Sequence, residues 1–343
     1  MVKKIIILAG LLVVQLQFSP AMDPQEEPVK SLVLQGMDLT FNNHFGEASQ
    51  VFDQLIQQYP QHPIGYFYKA ATVQAGMLDA EDYRQEDQFY RLAERTIQLA
   101  DSLKKAGMDN SWISFYKGSA FLYCSFMKMK QGSWLSAYKD ASRGVSILEE
   151  VVSQDSLLYD AYLGIGSFKY WKSTKTEFLL WLPFISDQRE QGISLIYRAV
   201  EKGDFVRYVG RDQLVWILMD KKDYAEAFRL ARQNHEAYPD SRFFKWTLAA
   251  AALHSREWEF SYRLYQELLL QVRQLPQNNH LNEIECLVKM AEIAANNQQW
   301  PEVYQLADQA LRFNLEEPVR KRAKNKLHKA LTLRNEAEKN IEP

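Results

Sequence analysis

ASQVFDQLIQQYP, residues 48–60, and AFRLARQNHEAYP, residues 227–239, follow one rule: a small residue, a packing residue four positions on, and a proline eight beyond that. Ala48, Phe52 and Pro60 set it out; Ala227, Ala231 and Pro239 repeat it. Ser261, Tyr265 and Leu268 restart the pattern, and Ser261 follows Ala227 at the period of about 34 residues that marks a repeating helix-turn-helix unit. The chain therefore reads as a helical solenoid. Such an architecture is built for binding, so its sequence speaks more clearly of shape than of partner.

Working outward, the first repeat places Leu32, Gly36 and Leu39 on one helix, turns at Asn42-Asn43-His44, and continues with Ala48, Phe52 and Leu55. Gly36 and Ala48 are twelve apart on facing helices, where small side chains let backbones come close. A second unit runs from Ile64 to Ala75 through Tyr66, Ala70 and Val73; its partner, with Ala93, Ile97 and Ala100, is delayed by the acidic run Asp79 to Asp87, which reads as a solvated loop. Trp112 to Met129, around Gly118 and Phe121, is answered by Gly144, Leu148 and Val151. Asp160 to Tyr170, with the pair Leu163-Gly164, is answered by Gly192, Ile196 and Ala199 after residues 172–188 intervene.

The fifth unit is regular: Leu214 and Leu218, a turn from Lys221 to Asp223, then Tyr224, Ala227 and Pro239. The sixth uses Ala249, Ala252, Trp258, Ser261, Tyr265 and Leu268; the seventh uses Leu287, Met290, Ala291, Ala294, Trp300, Val303, Ala307 and Ala310. Pro318 opens a last amphipathic helix with Val319, Ala323, Leu327, Ala330 and Leu331 at helical spacing, which reads as the cap a solenoid needs over its final apolar face.

These positions resemble the tetratricopeptide repeat, most closely in the first and fifth units, with Leu32 standing where the family prefers tryptophan. The resemblance implies an all-α, right-handed superhelical solenoid: a polar leader over 22–28, about seven repeats over 29–312 with insertions near 76–88 and 172–188, and a capping helix within 313–343. Tyr162-Leu163-Gly164, the apolar segment Phe178 to Ile185 and Asp187-Gln188-Arg189 also look like a branch of that superfamily found in outer-mitochondrial-membrane and inclusion-clearance proteins and in bacterial envelope relatives.

Lys3 and Lys4 precede ten apolar or small residues, Ile5 to Val14, and a polar stretch leads to Ser19-Pro20-Ala21. This is the grammar of a secretory signal peptide over residues 1–21, and the apolar run is about half of the roughly 20 residues a membrane span requires. No cysteine lies nearby to carry a lipid. The expectation is an exported chain, periplasmic in a Gram-negative cell and secreted otherwise. Without Lys3 and Lys4 it carries 39 basic and 43 acidic residues, a net charge of about −4 that predicts no bulk affinity for nucleic acid. Cys124 and Cys286 are the only cysteines; four repeats apart, they read as two buried thiols.

No catalytic constellation is present. The histidines at 44, 62, 235, 254, 280 and 328 form no HExxH pair and have no cysteine at metal-ligand spacing. Gly164-Ile165-Gly166-Ser167 lacks the spacing of a phosphate loop and reads as close helix packing, and no GxSxG elbow occurs. The acidic run lacks the glycine turn and alternating ligands of a calcium loop. No cofactor or metal is expected.

In this architecture the first helices line the concave side, and their register points Phe67, Trp112, Phe115, Tyr123, Phe168, Trp216, Phe243 and Trp246 inward as an aromatic partner-binding groove, unless some belong to the ordinary core. Chaperone adaptors of the family grip an acidic C-terminal peptide with lysine and asparagine at positions that here are Val33, Phe67, Phe115 and Ala161, so that clamp is absent. The insertion containing Phe178, Leu179, Trp181, Leu182 and Phe184 is the most apolar run after the signal, and reads as a plug in the concave side or as a docking site. Arg320, Lys321, Arg322, Lys324, Lys326 and Lys329 give the last helix a cationic face, either solvated or touching anionic lipid or an acidic protein. The reading that unites these features is a non-catalytic adaptor or scaffold of the cell envelope, holding a segment of another protein. The alternative is a periplasmic small-molecule or lipid-binding protein whose insertion closes a pocket.

Overall fold

The computed structural model describes residues 24–175 and 186–341, and its described residues hold fifteen helices and no strand. They come in pairs: α1 (Val29–Phe41) with α2 (Phe45–Gln58), α3 (Pro63–Ala80) with α4 (Glu86–Lys105), α5 (Ser111–Lys130) with α6 (Trp134–Gln154), and α7 (Ala161–Lys175) with α8 (Arg189–Lys202). Then follow α9 (Arg207–Asp220) with α10 (Tyr224–Ala237), α11 (Arg242–His254) with α12 (Trp258–Arg273), α13 (Leu281–Asn296) with α14 (Trp300–Leu311), and α15 (Glu317–Ile341) over the end. The expected all-α solenoid of helix-turn-helix repeats is the observed architecture. Residues 1–21, expected to form a signal peptide, and the Phe178 to Ile185 insertion lie outside the described residues.

The two members of a pair are chemically different. Ten of the 18 residues of α3 are buried but only five of the 20 of α4, and α13 buries ten of 16 where α14 buries three of 12. A helix apolar all round must be covered all round, whereas an amphipathic one needs a single covered face. Successive first helices touch one another, α1 with α3, α3 with α5 and α9 with α11, while second helices chiefly meet their own partner and the next first helix. The result is a curved double layer with the first helices inside.

Small residues set the closeness of each pair. A Cβ on Gly118 would lie 3.0 Å from the Gly144 carbonyl oxygen, and one on Gly166 would lie 2.6 Å from that of Gly192. The packing glycine of the fourth unit is thus Gly166 and not Gly164, which meets Leu122 and Leu148 of the preceding pair. Gly118 and Gly144 stand much further apart in sequence than Gly36 and Ala48, so α5 and α6 each run about two turns, roughly 10 Å, beyond their crossing. That projecting tip leaves Trp134, Leu135 and Tyr138 exposed by 64%, 86% and 53%.

The acidic run is a loop only in its middle, residues 81–85, and its first residue does structural work. Helix α3 takes in its first two residues, ending at Ala80, and the Asp79 side chain, 6% exposed, holds the Arg242 guanidinium at the start of α11 through contacts of 2.6–3.1 Å. The Asp79 carbonyl accepts from Asn282 at 2.8 Å, and the Glu81 carbonyl accepts from Asn279 at 2.8 Å and Arg322 at 2.9 Å. Asn43 donates to the Asp240 carbonyl at 2.9 Å, Tyr238 donates to Asp38 at 2.6 Å, and the Phe41 ring sits among Tyr208, Tyr238 and Phe244. The first two repeats are therefore bound to the late repeats and the cap by polar contacts between residues 163 to 241 positions apart: the coil closes on itself.

Closure also recruits the cap. Val319, Ala323, Ala330, Leu333 and Ala337 are the buried stripe of α15; Leu331, expected in it, is 39% exposed and Leu333 takes that role. Of its cationic face, Lys326 pairs with Glu285, Lys329 with Glu292 and Arg322 with Glu81, so half of those charges serve internal contacts. Cys124 and Cys286 are free and buried on α5 and α13, and burial pushes the Cys124 thiol up to about 12.

Gly166→Ala is expected to destabilise the chain by about 1–3 kcal/mol in urea unfolding, because backbone must move to admit the methyl. Gly46→Ala, where a Cβ meets nothing within 4 Å, is expected to be neutral or stabilising by up to about 1 kcal/mol. Asp79→Ala strands the Arg242 charge; a loss of about 3 kcal/mol is expected, with an increased radius of gyration by small-angle scattering.

Candidate functional site

The eight aromatic residues expected to form one groove divide into separate environments. Phe67, Trp112 and Phe115 are buried, 5–7% exposed, and offer nothing to a partner. With Tyr68 and Tyr116 they form an aromatic core, into which Phe205 inserts at 5.6 Å from Trp112 and 6.4 Å from Tyr68. The covering ring comes from the link between α8 and α9, so the inner faces of α3 and α5 are closed by the chain itself. Tyr123 is half-buried beside Phe67 at 5.6 Å, and burial pushes its hydroxyl up to about 12. Phe168 turns toward α6, 6.1 Å from Tyr138, rather than into the concave face. Phe178, Leu179, Trp181, Leu182 and Phe184 lie outside the described residues.

The Phe205 link is held by Asp160, ahead of α7. This carboxylate is 1% exposed and accepts the backbone N–H groups of Asp204 and Phe205, each at 2.8 Å. Burial raises its pKa to about 6, while the two backbone donors oppose that rise.

What remains open is the inner surface of α9 and α11. Trp216 on α9 is 41% exposed and Phe243 on α11 is 43% exposed; Trp246, half-buried, leans on Tyr265 at 6.0 Å. Between them lies Asp212, 2% exposed, one helical turn before Trp216. The Trp216 and Thr247 side chains stand beside its carboxyl, and Thr247, whose hydroxyl donates to the Phe243 carbonyl at 3.4 Å, stands one turn after Phe243. Burial nevertheless raises its pKa from the ordinary 3.8 to about 7, and its Oδ1 has no hydrogen-bond partner. Sequence reasoning passed over Asp212 and Thr247; the signal available was an acid four residues before an inward-pointing tryptophan on the same helical face.

Two other depressions are open and lie mainly among long charged and polar side chains: one on α15, at Glu317, Arg320, Lys321, Lys324 and Leu327, and one on α10, at Ala225, Phe228, Arg229, Arg232, Gln233 and Glu236. Neither is the sealed aromatic cavity that a small-molecule carrier calls for. Among the described residues no helix is long and apolar enough to cross a membrane.

No protein-family model matches the chain, and no curated protein matches it. Among solved structures, the APC/C hetero-tetramer Cut9-Hcn1 is similar with a TM-score of 0.56 and 12% identity, over 93% of this chain and 56% of that one. The C-terminal part of a TPR repeat-containing protein from Cytophaga hutchinsonii has a TM-score of 0.41 and 20% identity, covering 86% of this chain and 99% of that one. A tetratricopeptide repeat protein from Parabacteroides merdae has a TM-score of 0.39 and 12% identity, over 88% and 98%. This chain spans just over half the length of the Cut9-Hcn1 chain it matches, and the likeness is one of fold: a tetratricopeptide-type solenoid.

Asp212 holds its proton more tightly folded than unfolded, so it imposes no cost below about pH 4, a growing cost from pH 4 to 7, and a constant cost above. Asp212→Asn keeps the size of the side chain and removes the titratable charge. Its melting temperature is expected to match that of the parent near pH 4 and to exceed it increasingly up to pH 7 and beyond. Asp160→Ala, by contrast, leaves two backbone donors unanswered and is expected to cost about 2–4 kcal/mol at neutral pH in urea unfolding.

Proposed function

We propose that the chain is a non-catalytic adaptor that holds a segment of a partner protein on the concave surface between α9 and α11, and that it works in the cell envelope after export. One observation carries this reading: Trp216 and Phe243 stay exposed on an inner layer whose other large rings are mostly covered. Rings left open on a preformed surface bind with little ordering cost to the solenoid itself, and burying the part of these two that is still exposed contributes about 1–3 kcal/mol. Trp246 and Tyr265 pack together beside them.

The absence of a carboxylate clamp supports an internal or extended segment as the bound element. Val33, Phe67, Phe115 and Ala161 are all buried and apolar, so no cationic group stands at those positions to grip a terminal carboxylate. The export half of the proposal rests on Lys3, Lys4, the Ile5 to Val14 run and Ser19-Pro20-Ala21.

A photo-reactive residue at position 243, in the exported chain in living cells, is expected to capture one dominant polypeptide. Capture of lipid alone, or of nothing by a folded chain, would overturn the adaptor reading. The mature protein is expected to begin at Met22 by intact-mass measurement of the envelope fraction, and an uncleaved N-terminus in the cytoplasm would overturn the export reading.

A further inference from the structure

We infer that the α9–α11 surface takes a cationic side chain of the partner segment, an ammonium or guanidinium, against the Asp212 carboxyl and between the faces of Trp216 and Phe243. The inference rests on the adaptor reading above and adds the chemistry of what is bound.

The buried acids of the described residues provide the comparison. Asp160 is answered by two backbone N–H groups at 2.8 Å; Glu283 is answered by Arg273 at 2.8 Å, Asn278 at 2.6 Å and His280 at 2.7 Å. Asp79, scarcely less buried, is answered by Arg242. Asp212 is covered as thoroughly as these, yet its Oδ1 is without a partner. A carboxylate can accept about four hydrogen bonds, and one taken out of water without enough donors is costly to keep.

The cation adjoining it in sequence is committed elsewhere. Arg211 donates to the Asn234 side-chain oxygen at 3.1 Å and lies over the Tyr208 ring at 5.8 Å. Trp216, one turn further along α9, and Thr247, on α11, stand beside the Asp212 carboxyl, which places it at the seam between the two exposed rings. An unanswered acid flanked by exposed aromatic faces is suited to a cation, which gains from the carboxylate and from the ring quadrupoles together. A bound cation also favours the ionised carboxyl over the protonated form that burial promotes.

The test uses the purified chain on an array of nine-residue peptides with varied apolar flanks and lysine, arginine, norleucine or glutamate at the centre. Lysine and arginine peptides are expected to bind about tenfold or more tightly than their norleucine counterparts. Asp212→Asn is expected to reduce that ratio to near one while norleucine peptides still bind; Trp216→Ala is expected to weaken every peptide. Equal binding of lysine and norleucine peptides to the parent, or a lysine preference untouched by Asp212→Asn, would overturn the inference and leave the adaptor reading standing. Binding of no peptide at all would overturn both.

Discussion

An inner layer that is apolar on both faces is the constraint from which the rest of this structure follows. The second helix of each repeat covers one face of the first. Nothing in a single repeat covers the other, so the inner faces of α3 and α5 must find a cover or expose a large aromatic surface to water. The cover is the chain's own later part: Phe205 packs against Tyr68 and Trp112. Aromatic rings dominate this junction because few side chains remove as much apolar surface from water per residue ordered.

Polar contacts then fix how the coil closes. Hydrophobic burial is non-directional and would tolerate several relative placements of the early and late repeats. The Asp79–Arg242 pair, the Asn43, Asn279 and Asn282 amides on backbone carbonyls, and Arg322 on Glu81 tolerate few. A buried ion pair of this kind adds little net energy compared with apolar packing, but breaking it is costly, which is how such a pair selects one arrangement.

The open surface of α9 and α11 is what this closure leaves uncovered. Repeats one to three have their inner faces filled from within; repeats five and six, on the covering side, keep Trp216 and Phe243 partly bare. The same geometry explains Asp212. An acid at an inner-layer position would be solvated in an open groove, but here it lies in a wall tight enough to raise its pKa to about 7 and to leave one oxygen unanswered.

The sequence by itself determined the class of fold, because the spacing of Ala48 and Phe52, of Ala227 and Ala231, and of Ser261 and Tyr265 is a local property of helix pairs. It also determined that Cys124 and Cys286 are buried and where the capping helix lies, since both follow from helical periodicity. Periodicity placed the fourth repeat but did not tell Gly164 from Gly166, because both are small and only contact with Gly192 separates them. It placed Phe67, Trp112, Phe115 and Trp216 in one groove, because helical register says which way a side chain points and not what stands opposite. What stands opposite comes from several repeats away, as Arg242 does for Asp79 and as Phe41 does for Tyr208, Tyr238 and Phe244. Those meetings depend on the pitch summed over every repeat between them, a quantity that no short pattern encodes and that only the folded coil decides.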